Sequence, residues 1–281
     1  MDTIEYIELG IGETRFDGIA AGPKDGDLVV LLHGFPQTPR AWRRQVEALG
    51  KAGFRAVAPA LRGFGPGTPP PDIADYTQPL VASDVLGIVA SFGSESFHLV
   101  GHDLGGIVAW DIAGRFPEVV RTLSIASTPH LTPFALALSA GTADRLPPFE
   151  LFRQAGVAED FMLGSDAKVL RAGYAGLDDE SIEEYVAHFR SPGALTAALD
   201  HFRAFEYADW LDLVPASMPT LFMWGTEDPY LAETTAKETA DYATGTYQPV
   251  PLDGIGHWVP EMAGDAVTEL LLAHLGVDID R

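Results

Sequence analysis

One aspartate, Asp103, stands between glycines in the run Phe97 to Gly106, FHLVGHDLGG. An apolar strand leads in and a helix follows at once. Glycine at 101 and 105 permits a strained strand-to-helix elbow that lifts the middle side chain above a sheet. The alternative is an ordinary turn in which Asp103 caps the following helix, a role that aspartate favours. Two other stretches favour the elbow. In Val29 to Gln37, VVLLHGFPQ, a strand ends in His33-Gly34-Phe35-Pro36, so the backbone N–H of Phe35 can converge with that of Leu104 into an oxyanion hole. His33, between a buried strand and a tight glycine turn, is expected to order this loop by hydrogen bonding rather than to catalyse. Downstream, TLFMWGTEDPY (Thr220 to Tyr230) is a strand followed by a turn carrying Glu227 and Asp228, and LDGIGHWV (Leu252 to Val259) delivers His257 into a helix start. A carboxylate is ionised at neutral pH and attacks an sp³ carbon without help, whereas a serine must first be deprotonated. The ester so formed on Asp103 needs a water deprotonated by His257 to release it. Attack on an acyl group is less apt, because it would form a reactive anhydride.

The elements that must position these residues read as strands linked by crossover helices, an α/β pattern with a mostly parallel sheet. Strands are expected at Tyr6 to Leu9, Arg15 to Ala20, Leu28 to Leu32, Ala56 to Ala58, Phe97 to Val100, Thr122 to Ala126, Thr220 to Trp224 and Thr246 to Val250. The first two, separated by Gly10 and Gly12, form an antiparallel edge hairpin in this reading. Helices fit Arg40 to Ala48, Leu80 to Phe92, Gly106 to Phe116, Ala232 to Tyr242 and Asp265 to Leu275. Gly63 to Pro71, GFGPGTPPP, must be loop, since proline denies helix and sheet their hydrogen bonds. The alternation breaks after about His130, where the pattern is helical throughout. The expected organisation is therefore a core of residues 1–130 and 213–281, with a helical cap of residues 131–212 over the sheet's carboxyl edge, where ligands bind in open α/β sheets.

Composition narrows the function classes. Among 281 residues, 18 Lys+Arg stand against 40 Asp+Glu, a formal charge of −22, which disfavours nucleic acid or an anionic membrane surface as partner. The densest basic group, Arg40 with Arg43 and Arg44, reads as a solvated helix face. The absence of cysteine removes disulfides, thiolate metal sites and cysteine nucleophiles. The acidic start, MDTIEYIELG, does not read as a signal peptide, and no run approaches the roughly 18 apolar residues of a membrane span. A cytoplasmic protein is expected, acting on a small-molecule substrate with no cofactor and no metal. Its oligomeric state is left open, a homodimer included.

Together, HGFPQ, GHDLGG, WGTEDP and GIGHW resemble the α/β-hydrolase fold, in its aspartate-nucleophile branch of epoxide hydrolases and haloalkane or haloacid dehalogenases. The likeness covers almost the whole chain; LFRQAGVAE (Leu151 to Glu159) and PGALTAALDHFR (Pro192 to Arg203) are similar to the cap segments of epoxide hydrolases. The resemblance implies Asp103 as nucleophile, Asp228 rather than Glu227 as the acid, and His257 as base. It also implies two cap tyrosines that hydrogen-bond the epoxide oxygen, but Pro148 and Phe202 occupy their places. His201, beside Phe202, is the substitute donor expected first, with Tyr174, Tyr185, Tyr207 and His188 behind it. Haloalkane dehalogenases usually carry Trp and Asn where this chain has Leu104 and Phe35, and fluoroacetate dehalogenases carry arginines at the positions of Leu104 and Ile107. The leading expectation is a hydrolase of neutral, fairly apolar epoxides. A neutral-haloalkane dehalogenase and a non-hydrolytic binding protein on the same scaffold are the alternatives.

Overall fold

The computed structural model describes residues 4–65, 69–141 and 148–277. Residues 66–68 of the turn-rich stretch and 142–147 of the helical block lie outside the described residues. Eight strands form one sheet in the order β1-β2-β4-β3-β5-β6-β7-β8. They are β1 (Glu5–Ile11), β2 (Thr14–Ala21), β3 (Leu28–Leu32), β4 (Arg55–Pro59), β5 (Phe97–His102), β6 (Val120–Ala126), β7 (Thr220–Gly225) and β8 (Tyr247–Leu252). Each matches an expected strand. β1 and β2 form the antiparallel hairpin, and β2 also pairs antiparallel with β4. From β4 onward every pairing is parallel. Strands β3, β4, β5 and β7 are buried at every residue, as unbroken apolar runs must be when helices cover both faces.

On one face Trp42, just before α1 (Arg43–Lys51), and Val46 and Leu49 within it pack with Val267 and Leu271 of the C-terminal helix Gly264–His274. On the other, Val81 and Val85 of α2 (Gln78–Ser91) join Val108 and Ile112 of α3 (Leu104–Arg115). The helix expected from Arg40 begins as a 3-10 turn at Pro39–Trp42 before α1. That expected from Ala232 to Tyr242 is shorter, α9 (Glu233–Glu238) ending in a 3-10 turn, Thr239–Tyr242. Each of the three arginines has a carboxylate partner: Arg40 pairs with Glu184 and Arg44 with Asp265, each at 2.8 Å, and Arg43 with Glu47 at 3.8 Å, while the Arg43 side chain stays partly exposed to solvent and that of Arg44 exposed.

Between β6 and β7 the described elements are all helical: α4 (Leu131–Ala140), α5 (Phe149–Phe152), α6 (Val157–Gly173), α7 (Asp179–Phe189), α8 (Ala194–Ala204) and a 3-10 turn at Tyr207–Trp210. α6 is broken at 164–167, where Ser165, Asp166 and Ala167 have positive φ. Phe149, Phe152, Phe202, Phe205 and Trp210 form an aromatic cluster in these helices. Arg203, 4 % exposed, ties the block together through Glu159 and Asp200.

Candidate active site

The carboxyl ends of β5, β7 and β8 bring three loops together. At the end of β5, Asp103 has φ 49° and ψ −117°, a conformation an L-residue adopts only under constraint. The constraint is close packing on both sides. A Cβ at Gly105 would lie 2.3 Å from the Leu32 carbonyl oxygen, and one at Gly101 would lie 2.4 Å from that of Gly105. The Asp103 carboxylate does not cap α3. Its Oδ1 accepts the N–H of Phe35 at 2.8 Å, and its backbone carbonyl accepts the Thr128 hydroxyl at 3.0 Å. The N–H of Leu104, first residue of α3, is among those a first helical turn leaves without an intrahelical acceptor. Of the two amides expected of an oxyanion hole, that of Phe35 is thus bonded to the carboxylate.

Nε2 of His257 lies 3.4 Å from Asp103 Oδ2, and its Nδ1 lies 2.8 Å from Asp228 Oδ2. Asp228 is wholly buried and its Oδ1 accepts the N–H of Tyr230 at 2.8 Å. Glu227, the other carboxylate of that turn, is exposed. Burial alone would depress the His257 pKa, but Asp228 and Asp103 outweigh it and push the value up to about 10. Burial likewise works to raise the Asp103 pKa, and hydrogen bonding and charge from His257 reverse this, holding it below the usual carboxylate range.

Two further residues fix His257. Its carbonyl oxygen accepts the Ser127 hydroxyl at 2.9 Å and lies 3.0 Å from Nε2 of His102. Burial pulls the His102 pKa down to about 4, so its ring is neutral. Ser127 left no signal in the sequence. His102 was signalled only by its place beside Asp103. His33 orders its loop: its Nε2 accepts the Leu61 N–H at 3.1 Å and its Nδ1 lies 2.9 Å from the Gly34 oxygen.

Above Asp103 is a cavity of about 160 Å³ that includes His257 and Tyr230 and is otherwise walled by apolar groups such as Phe149, Phe152, Met162, Leu170 and Phe202. Phe202 meets Phe35 edge to face and Phe152 at a tilt. Larger clefts of about 540 and 710 Å³ lie away from Asp103. Among the described residues no cluster of His, Asp or Glu is arranged to hold a metal ion, and no helix is long and apolar enough to cross a membrane.

The expected donors from the helical block are not in this cavity. His201 is fully buried and donates Nε2–H to the Arg62 carbonyl at 2.8 Å. Successive helical residues point about 100° apart, so a helix that turns Phe202 into the cavity turns His201 out of it. Tyr174 donates its hydroxyl to the Pro36 carbonyl, and Tyr185 donates to Glu261 at 3.1 Å. Tyr207 stacks beneath Arg153, and His188 lines the 540 Å³ cleft. Tyr230, not singled out in the sequence, is the phenol that lines the cavity; its signal was the loop shared with Asp228.

A family model described as the alpha/beta hydrolase fold matches residues 27–261. The chain is 31% identical over 289 residues to Epoxide hydrolase 4 of Mus musculus, spanning 98% of this chain and 80% of that protein. It is 28% identical to Epoxide hydrolase A of Mycobacterium tuberculosis, over 93% of this chain and 94% of that protein. The crystal structure of Epoxide Hydrolase A from Mycobacterium thermoresistibile superposes with a TM-score of 0.87 at 27% identity, covering 98% of this chain and 99% of that one. The family model and these likenesses show that the chain belongs to the alpha/beta hydrolase fold family and is an enzyme built on that fold.

Proposed function

We propose that the enzyme hydrolyses small, neutral, apolar epoxides through an ester on Asp103. The observation that carries this reading is a carboxylate at the elbow, opening on an apolar cavity, with an imidazole nitrogen 3.4 Å away. Asp103 attacks a ring carbon and the ester forms as the carbon–oxygen bond breaks. Water then adds to the ester carbonyl, His257 takes its proton, and the N–H groups of Phe35 and Leu104 hold the oxyanion. Asp228 orients His257 and stabilises its charged form. The reading agrees with the names of the relatives.

The charge balance orders the two half-reactions. In the free enzyme His257 lies between two carboxylates and holds its proton, so it cannot act as a base. Esterification removes the negative charge of Asp103, and His257 loses one of the two partners that raised its pKa. His257 then gives its proton to solvent, is available as the base when an ester is there to hydrolyse, and takes a proton back once the Asp103 carboxylate is restored. Among the described residues no lysine or arginine lines the cavity, which favours a neutral substrate over a haloacid. Nor do the described residues of the wall offer a pair of free side-chain N–H donors for a halide, since the Trp258 indole N–H is held by the Gly173 carbonyl at 3.0 Å.

The test is His257→Gln incubated with a panel of small epoxides, styrene oxide among them. Intact mass should rise by one epoxide equivalent, on the peptide that contains Asp103. No adduct with any epoxide, from a folded variant, sinks the reading.

A further inference from the structure

Opening an epoxide leaves an alkoxide unless a proton arrives as the bond breaks, and positioned acids commonly contribute about 10²- to 10⁴-fold. Phe202 enters the cavity as a hydrocarbon, and Pro148 on its wall has no hydroxyl. The two nitrogens of His257 are directed at Asp103 and Asp228, and Trp258 Nε1 is bonded to Gly173. The phenol of Tyr230 is what remains among the described side chains of the wall.

Tyr230 is held in place from both ends. Its N–H is fixed on Asp228 Oδ1 at 2.8 Å. Its ring stands edge-on to the His257 ring, with centroids 5.0 Å apart at 88°. Among the described residues its hydroxyl has no hydrogen-bond partner, so it is available to a ligand in the cavity that Asp103 also lines. Burial first, then the negative charges of Asp103 and Asp228, raise its pKa, which keeps the phenol protonated at neutral pH.

We infer that Tyr230 is a catalytic residue, its hydroxyl giving a proton to the ring oxygen of the epoxide as Asp103 attacks the carbon. The inference rests on the epoxide reading above. The Asp103 Oδ–carbon bond forms, the carbon–oxygen bond of the ring breaks, and the released oxygen takes the phenolic proton. In the second half-reaction one proton of the attacking water passes through His257 to the second hydroxyl of the diol. The other leaves the regenerated Asp103 carboxyl and restores the Tyr230 phenol. Epoxide and water thus balance to diol, and the donor comes from the loop after β7 rather than from the inserted helices.

The experiment compares His257→Gln with His257→Gln/Tyr230→Phe, following adduct formation with styrene oxide by intact mass against time. The expected result is at least a ~10²-fold slower adduct in the double variant. Adduct formation in His257→Gln should also be slower in D2O, and this isotope effect should be lost with Tyr230→Phe, as a merely structural role would not produce. Equal rates and equal isotope effects in the two variants overturn the inference while leaving the Asp103 ester intact. Absence of any adduct from His257→Gln with every epoxide tested overturns the proposed function itself, and the inference with it.

Discussion

Nε2 of His257 lies 3.4 Å from Oδ2 of Asp103, so the nitrogen that must take a proton from water faces a carboxylate that holds a proton on it. The sign is definite: removing the Asp103 charge must lower the His257 pKa from its value of about 10. In Asp103→Asn the imidazole should titrate well below the wild-type value, followed by NMR of its ring protons. Equal titration in the two proteins would show that Asp228 alone sets the charge of His257.

Loss of the carboxylate itself should be more severe. Asp103→Ala should lower turnover by several orders of magnitude, as single losses within a triad do. Because the Asp103 side chain is 20 % exposed and does not cap α3, the variant should fold and melt close to wild type. Substantial residual turnover would return Asp103 to a structural role.

The elbow also yields a prediction about glycine. Gly105→Ala places a methyl 2.3 Å from the Leu32 carbonyl and 2.6 Å from that of His33, both backbone atoms of the strand that carries the Phe35 amide. Destabilisation of roughly 1–3 kcal/mol or more is expected from such overpacking, together with lost turnover. Gly10→Ala, which meets nothing within 4 Å, should change stability by less than about 0.5 kcal/mol. Chemical denaturation of both variants separates the cases; similar midpoints would mean the elbow relaxes freely.

The parts of this architecture that rest on short-range rules were readable in the sequence. The inner strands announced themselves as apolar runs bounded by turns, and Gly101 and Gly105 marked the elbow because the backbone there leaves no room for a Cβ. The helical block was readable as helices but not in its rotation. A rotation of one residue about α8 exchanges His201 for Phe202, and only tertiary packing against Phe35, Phe149 and Phe152 decides between them. Tyr174 and Tyr185 carried the right chemistry, yet their hydroxyls meet acceptors on Pro36 and Glu261, segments remote in sequence. Tyr230 needed the loop after β7 to fold beside His257 before its position had meaning.

Arg203 should prove essential to the inserted helices. Its guanidinium donates to both oxygens of Glu159 at 3.0 Å and to Asp200 at 2.8 Å, with the three side chains 4 %, 16 % and 8 % exposed. Arg203→Ala leaves two enclosed carboxylates without their cation, an arrangement that typically costs about 3–5 kcal/mol. Replacing all three by Met, Gln and Asn, respectively for Arg203, Glu159 and Asp200, should recover most of the loss, because the unpaired charge rather than the missing pair is the penalty. Failure of that triple variant to recover stability in urea denaturation would assign the loss to packing of the arginine stem.

Glu261 gives stability a pH dependence of its own. Gln37 Nε2 and the Tyr185 hydroxyl reach its two oxygens at 2.6 and 3.1 Å. Burial nonetheless outweighs these bonds and pushes its pKa from 4.5 up to about 7. The unfolded chain releases this proton near 4.5 and the folded chain near 7, so between these values the folded state binds more protons and its stability falls as pH rises. Glu261→Gln removes the titration and keeps the shape. Relative to wild type, the variant should gain melting temperature between pH 5 and pH 8, with most of the gain between pH 5 and pH 7. The gain should level off once Glu261 is ionised in both states. The same Gln37 side chain lies 2.9 Å from Nδ1 of His102, whose Nε2 holds the His257 carbonyl. Glu261 thus lies two side chains from the catalytic imidazole. A melting-temperature difference that stays flat across this range would mean that Glu261 is ionised in the folded protein already at pH 5.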